Sequence, residues 1–119
     1  MSIQYIRNPE YPGSKHATPA TIMGNIVFVS GQTGDGEIEG AALTALEQIK
    51  MILGHAGSGV NKIGKCNIYL ADMDNFNRMN VVYVKWFADQ DVPTPARTCV
   101  APARLPHGAS FEIECIACL

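Results

Sequence analysis

Arg97, Cys99, Glu112 and Glu114 stand close together near the end of a chain of 119 residues, and their types suit one kind of chemistry. An arginine grips a planar carboxylate with two parallel N–H···O bonds, which a lysine cannot do. A glutamate moves a proton to or from a water. Glu112 and Glu114 alternate with Phe111, Ile113 and Cys115, so on a strand both carboxylates share one face. Like charges so placed repel when ionised and raise one pKa toward neutrality. Cys99, two residues beyond Arg97, falls on the arginine's side of its strand. As a nucleophile it would need a neighbouring base or cation, and with no Cys–His motif in the sequence, packing is its leading role. Taken together, these residues could fix an acid group and activate a water. The plainer alternatives are a surface arginine in a salt bridge and a solvated strand face. The second suits Glu114, read as structural or paired with Arg104.

The elements that must position these residues are two final strands, at about 97–102 and 109–118, read as neighbours joined by a Pro106-His107-Gly108 turn. Pro102 implies an edge or a bulge there. Upstream, residues 2–7 read as a first strand, broken by Asn8-Pro9 and Pro12-Gly13. Residues 18–23 and 26–30 flank a Gly24-Asn25 hairpin dipeptide. Ser30-Gly31-Gln32 ends the second of these strands, where a glycine permits close approach of a ligand or simply the terminal geometry. Ala42, Leu46, Ile49, Leu53 and Ala56 recur at helical spacing from near Gly40, with Gly57 as the C-cap residue. Residues 63–70 return to strand content. Asp72 or Asp74 can cap a second helix whose stripe is Phe76, Met79, Tyr83 and Phe87. The order β, β, β, α, β, α, β, β predicts an α+β fold, a mixed sheet with two helices packed on one face. The other face would keep apolar residues that something must cover.

Length favours one domain spanning 1–119. With 9 Lys and Arg against 11 Asp and Glu, net charge −2, the chain offers no basic stripe for a phosphate backbone, so nucleic acid is not an expected partner. No apolar run reaches the length of a membrane span, and Met1-Ser2-Ile3-Gln4 lacks the basic and apolar regions of a signal peptide. No membrane partner and a cytoplasmic location are therefore expected. Four cysteines without a secretion signal read as reduced thiols. The spacing of Cys115 and Cys118 on a strand sends them to opposite faces, which disfavours metal or dithiol chemistry. His16, His55 and His107 show no metal-ligand spacing.

Pro95-Ala96-Arg97-Thr98-Cys99-Val100, Ala103-Arg104-Leu105-Pro106 and Glu112-Ile113-Glu114 resemble the C-terminal signature of the RidA (YjgF) family of enamine/imine deaminases. Gly24 to Gln32, Tyr69 to Met73 and Asn80 to Tyr83 extend the resemblance over roughly residues 15–118. It implies a chorismate-mutase-like, RidA-like fold assembling as a trimer, with sites in the clefts between subunits. It implies a hydrolase that converts 2-imino or enamino acids to keto acids and ammonia without a cofactor. By the same resemblance, Arg97 would clamp the substrate carboxylate and Glu112 would serve as acid/base. Carbonyls near Cys99 and Gly31 would hold the water. Ser30, Gly31, Asn80 and Ala17 would line the pocket, with Asn80 bonding across the subunit contact. Ala17 stands where the family usually has a tyrosine. That replacement points to a divergent member with a larger substrate, such as an aminomuconate-type ring-cleavage product. A trimer that binds a small acid without turnover is the alternative, and a ribonuclease role is disfavoured by the acidic charge.

Overall fold

The computed structural model describes residues 2–119. Its elements follow the expected order: β1 Ile3–Ile6, β2 Ala20–Met23, β3 Ile26–Gly34, α1 Ile38–His55, β4 Ile63–Leu70, α2 Phe76–Asp89, β5 Ala96–Val100 and β6 Phe111–Cys118. The β2–β3 hairpin turns on Gly24-Asn25, with Gly24 at φ +61°, the geometry of a tight turn with glycine first. α1 begins at Ile38, two residues before Gly40, and ends as expected at Gly57. There the Ser58 N–H reaches Leu53 O at 2.8 Å and the Gly57 N–H reaches Gly54 O at 3.1 Å, satisfying two end carbonyls. Asp72 caps a short 3-10 turn by accepting from the Asp74 N–H at 2.9 Å, while α2 itself starts behind Asn75 with no side-chain cap.

The strand order is β1-β2-β3-β6-β4-β5, antiparallel throughout except for the parallel pair β4 and β5. This corrects one expectation, because β5 and β6 are not neighbours. The crossover through α2 lays β5 parallel on one edge of β4, and β6 takes the other edge. Sequence proximity had suggested a hairpin, but the connection from Ala101 to Ser110 spans β4 instead. β5 is an edge strand, as Pro102 implied.

Both helices cover one face of the sheet. Ala41, Ala42 and Ala45 let α1 sit close to the strands, and Leu46, Ile49, Ile52 and Leu53 fill the space beyond them. Val27, Val29, Cys66, Ile68, Leu70, Phe111, Ile113 and Cys115 form the opposing wall. Trp86 packs edge-on against Phe87 and donates from Nε1 to Glu47 Oε1 at 2.9 Å, tying the helices together. The other face carries Met23, Ile26, Phe28 and Ile116 side by side on β2, β3 and β6, each between 38% and 42% exposed. That apolar row is the surface expected to need a cover. Among the described residues no helix is long and apolar enough to cross a membrane.

Candidate functional site

Arg97 points from β5 toward the helices. In register with buried Cys66, it lies against α2, where its Nη1 donates to Asn80 Oδ1 at 2.7 Å. Its guanidinium carbon sits 4.8 Å from the Tyr83 ring centroid and 5.6 Å from that of Phe76. Aromatic faces and one amide thus hold the cation in a single orientation. No carboxylate among the described residues pairs with it. A half-buried guanidinium with no counter-ion is built to receive an anion. Asn80 thus bonds Arg97 within its own chain. Tyr83 is core, as its place on the α2 stripe suggested. Cys99 lies beside Ile68 on the same side of the sheet, and burial pushes its thiol pKa up against a smaller opposing pull from Arg97. The thiol therefore stays protonated near neutral pH, in keeping with packing.

Glu112 lies elsewhere. β6 alternates so that Phe111, Ile113 and Cys115 face the helices while Glu112 and Glu114 face the open side of the sheet. Its register partners are Thr33 on β3 and Tyr69 on β4. Burial and the neighbouring Glu114 charge both raise the Glu112 pKa, the direction a proton-transferring carboxylate needs. Glu114 accepts a hydrogen bond from the Tyr69 hydroxyl, not from Arg104 as the spacing suggested; Arg104 lines a separate loop with His107. That bond pushes the Tyr69 phenol up to about 12 and engages Glu114 rather than Glu112.

Gly31 explains the closeness of Glu112 to β3. The strand does not end at Ser30-Gly31-Gln32 but runs to Gly34, and the β3–β6 register slips between Val29 and Gln32, making a bulge. A Cβ on Gly31 would lie 2.7 Å from Glu112 Oε2. The bulge also shapes a cavity of about 200 Å³ lined by Tyr11, Ala17, Pro19, Ser30, Gly31 and Ile52, among others. The Ser30 hydroxyl donates to Thr18 O at 2.5 Å and its N–H to Pro19 O at 2.9 Å, so its side chain secures the 11–19 loop.

The structure thus gathers the singled-out residues into two groups. Arg97, Asn80 and Cys99 sit at the β5–α2 side, whereas Glu112, Gly31, Ser30 and Ala17 sit around the β3 bulge. Arg97 and Glu112 point to opposite faces of the sheet, two strands apart and three residues out of register, which at the usual spacings is about 14 Å. Sequence reasoning missed Tyr69, the aromatic flanks of Arg97 and the bulge. Only the period-2 match of Tyr69 to the open face could have flagged one of them. All four cysteines are free, with Cys66 and Cys115 buried and Cys118 exposed, the two faces expected of the last pair.

A mixed six-stranded sheet with both helices on one face and this C-terminal Arg–Glu arrangement defines a RidA-like α+β domain. The family model described as endoribonuclease L-PSP, which covers the YjgF and RidA proteins, matches residues 11–119. A RutC family protein of Pyrococcus horikoshii is 40% identical over 103 residues, covering 79% of each chain. The mitochondrial protein mmf1 of Schizosaccharomyces pombe is 41% identical over 97 residues, and the match spans 79% of this chain but only 58% of that longer protein. TdcF of Escherichia coli, provisionally named a reactive intermediate deaminase, is 36% identical over 103 residues, 80% of each chain. A crystal structure of that protein with bound serine superposes with a TM-score of 0.91, covering 98% of each chain at 30% identity. The chain belongs to the RidA (YjgF) family.

Proposed function

We propose that the protein hydrolyses 2-imino or enamino acids to 2-oxo acids and ammonia, at sites each built from two copies of the chain. The observation that carries this reading is Arg97 itself, a half-buried, aromatic-flanked cation with no carboxylate partner among the described residues. Within one chain it cannot share a small substrate with Glu112, because the sheet lies between them. A second copy covering the apolar open face would bring the Arg97 of one chain to the Glu112 of another, and a closed trimer is the arrangement the family resemblance favours. In such a cleft Arg97 clamps the substrate carboxylate with both arms of its fork. Glu112 takes a proton from water as the oxygen adds to the imine carbon. It passes that proton to nitrogen to give a carbinolamine. It then relays the carbinolamine O–H proton to nitrogen as the C–N bond breaks and the 2-oxo acid and ammonia form. Carbonyls of Gly31 and Cys99 hold the attacking water. The imine carbon is already electrophilic, so the chain's own residues suffice. Deaminase naming among the relatives supports this reaction class. The net charge of −2 gives no support to RNA cleavage, and a cytoplasmic trimer is part of the same proposal.

An amino-acid oxidase that generates short-lived imino acids, with semicarbazide competing for them, reads the activity directly. Wild type should speed 2-oxo acid release and Arg97→Ala should not; equal rates for the two would sink the mechanism. Mixing equal amounts of unfolded Arg97→Ala and Glu112→Gln chains and refolding them tests the shared site. Random assembly of a ring places an intact arginine opposite an intact glutamate at about one quarter of sites. A single-chain site would recover nothing. Ligand binding that needs Arg97 but is indifferent to Glu112, without turnover, would instead mark a small-acid sensor.

A further inference from the structure

The cavity beside the β3 bulge has a property that imine hydrolysis alone does not explain: its walls are mostly apolar. None of its lining residues carries a charge. Its side-chain hydroxyls, and the Gln32 amide through Nε2 to Ser30 O at 3.2 Å, already bond the protein. The Ser30 hydroxyl is spent on Thr18 O, and Ser14 Oγ accepts from the His16 and Ala17 N–H groups at 3.1 and 3.3 Å. Thr18 Oγ1 accepts from Arg7 Nη2 at 2.9 Å, and the Tyr11 hydroxyl reaches away to Met51 Sδ at 3.2 Å. Arg7 itself is occupied on both arms, its Nη1 donating to Pro12 O at 2.6 Å, and does not line the cavity. The same bonds fix the 11–19 loop, so the walls are built rather than collapsed. Gly31 lines the cavity, and a Cβ on it would touch the Glu112 carboxylate.

We propose that this cavity receives the substrate's side chain and selects apolar groups of branched-chain or phenyl size, with Tyr11 as the specificity-determining wall. The inference rests on the proposed function and names its substrate class. An apolar cavity of roughly 150 Å³ holds a benzene ring. The space here, about 200 Å³, takes a phenyl or an isobutyl group with little to spare. A second carboxylate would enter it with no lining cation to pair its charge. Imino acids of the leucine and phenylalanine type therefore fit, and a dicarboxylic ring-cleavage product does not. Tyr11, held through its own N–H by Asn8 Oδ1 at 2.9 Å, supplies the aromatic surface that Ala17 lacks.

The 2-oxo acid products serve as probes whose binding does not depend on turnover. Calorimetric titration of the intact protein with phenylpyruvate, 4-methyl-2-oxopentanoate, pyruvate and 2-oxoglutarate gives the ranking. The first two should bind about tenfold tighter than pyruvate, and 2-oxoglutarate no tighter than pyruvate. Ala17→Tyr, which fills the cavity, and Tyr11→Ala, which removes its wall, should each bring the phenylpyruvate-to-pyruvate ratio toward one, with thermal melts confirming the fold. A flat ranking in wild type, a ratio indifferent to both variants, or no binding of any probe overturns the proposal. If the ranking holds while no imine is hydrolysed, the cavity stands and the deaminase reading falls. If imines are hydrolysed with a flat ranking, the reverse is true.

Discussion

Gly31→Ala isolates the positioning of Glu112 from the folding of the chain. Gly31 lies outside the left-handed region, so an alanine meets no backbone penalty there. Its Cβ, however, would sit 2.7 Å from Glu112 Oε2 and 2.9 Å from Cδ, where ordinary contact begins at 3.4 Å. The carboxylate is the flexible end of a side chain, and it must swing aside. The entropy removed from the unfolded chain stabilises by about 0.4–1 kcal/mol. A displaced rotamer costs about 0.5–1.5 kcal/mol, so the two nearly cancel. Catalysis should not cancel, because a misplacement approaching 1 Å lowers rates by about tenfold to a hundredfold. Gly34→Ala is the control. There the new Cβ would lie 2.0 Å from Ala41 O and 2.6 Å from Ala41 C, backbone atoms that move only if α1 lifts from the sheet. Stability should fall by about 3 kcal/mol. Urea denaturation and the imine assay on both variants separate the effects. If Gly31→Ala keeps full activity, the closeness of Gly31 to Glu112 is irrelevant to function. If it unfolds like Gly34→Ala, the glycine is structural.

The Glu112 pKa is raised in the folded chain by burial and by Glu114. Its contribution to stability is therefore complete below the pKa of an unfolded glutamate and is lost as pH rises through the raised value. Glu112→Gln should melt above wild type at pH 7, with the gap closing below about pH 4, as thermal melts across pH would record. Arg97→Lys keeps the charge but loses the fork and the aromatic contacts; kcat/KM should drop by at least about tenfold, the loss of one charged hydrogen bond. Titration with a thiol reagent should find Cys118 fast and Cys99 slow. Cys66, whose pKa burial pushes up to about 11, and Cys115 should react only on unfolding.

Local signals carried most of the fold. The period of α1, the Gly24-Asn25 turn and the alternation of β6 each depend on neighbours in sequence, so each was legible. Strand adjacency was not. Nothing local tells Ala96–Val100 to pair with β4 rather than with β6, since that choice follows from the α2 crossover and the twist of the whole sheet. The same limit hid the site's division. Arg97 and Glu112 were legible as types and by motif, but their facing to opposite sides depends on which strand intervenes. Arg104 was the cation expected beside Glu114, and tertiary geometry gives Glu114 Tyr69 instead and joins Asn80 to Arg97. The β3 bulge required knowing that Gly31 stands opposite a carboxylate, a fact recorded on another strand.

The division itself has a chemical consequence. Had Arg97 and Glu112 faced one another within a chain, they would have formed an ion pair. An opposite charge at contact distance lowers a carboxylate pKa by about 1–3 units, which would weaken Glu112 as the base that takes water's proton in the proposed mechanism. It would also occupy the guanidinium fork that the proposed mechanism reserves for the substrate. Placed on opposite faces, Glu112 keeps the pKa that burial and Glu114 raise, and Arg97 keeps its aromatic setting and its free fork. In the proposed two-copy cleft the substrate carboxylate reaches Arg97 first and neutralises it, so the glutamate never loses its proton affinity to the cation. The sheet between the two groups thus keeps the acid and the cation of one chain from quenching each other within that chain.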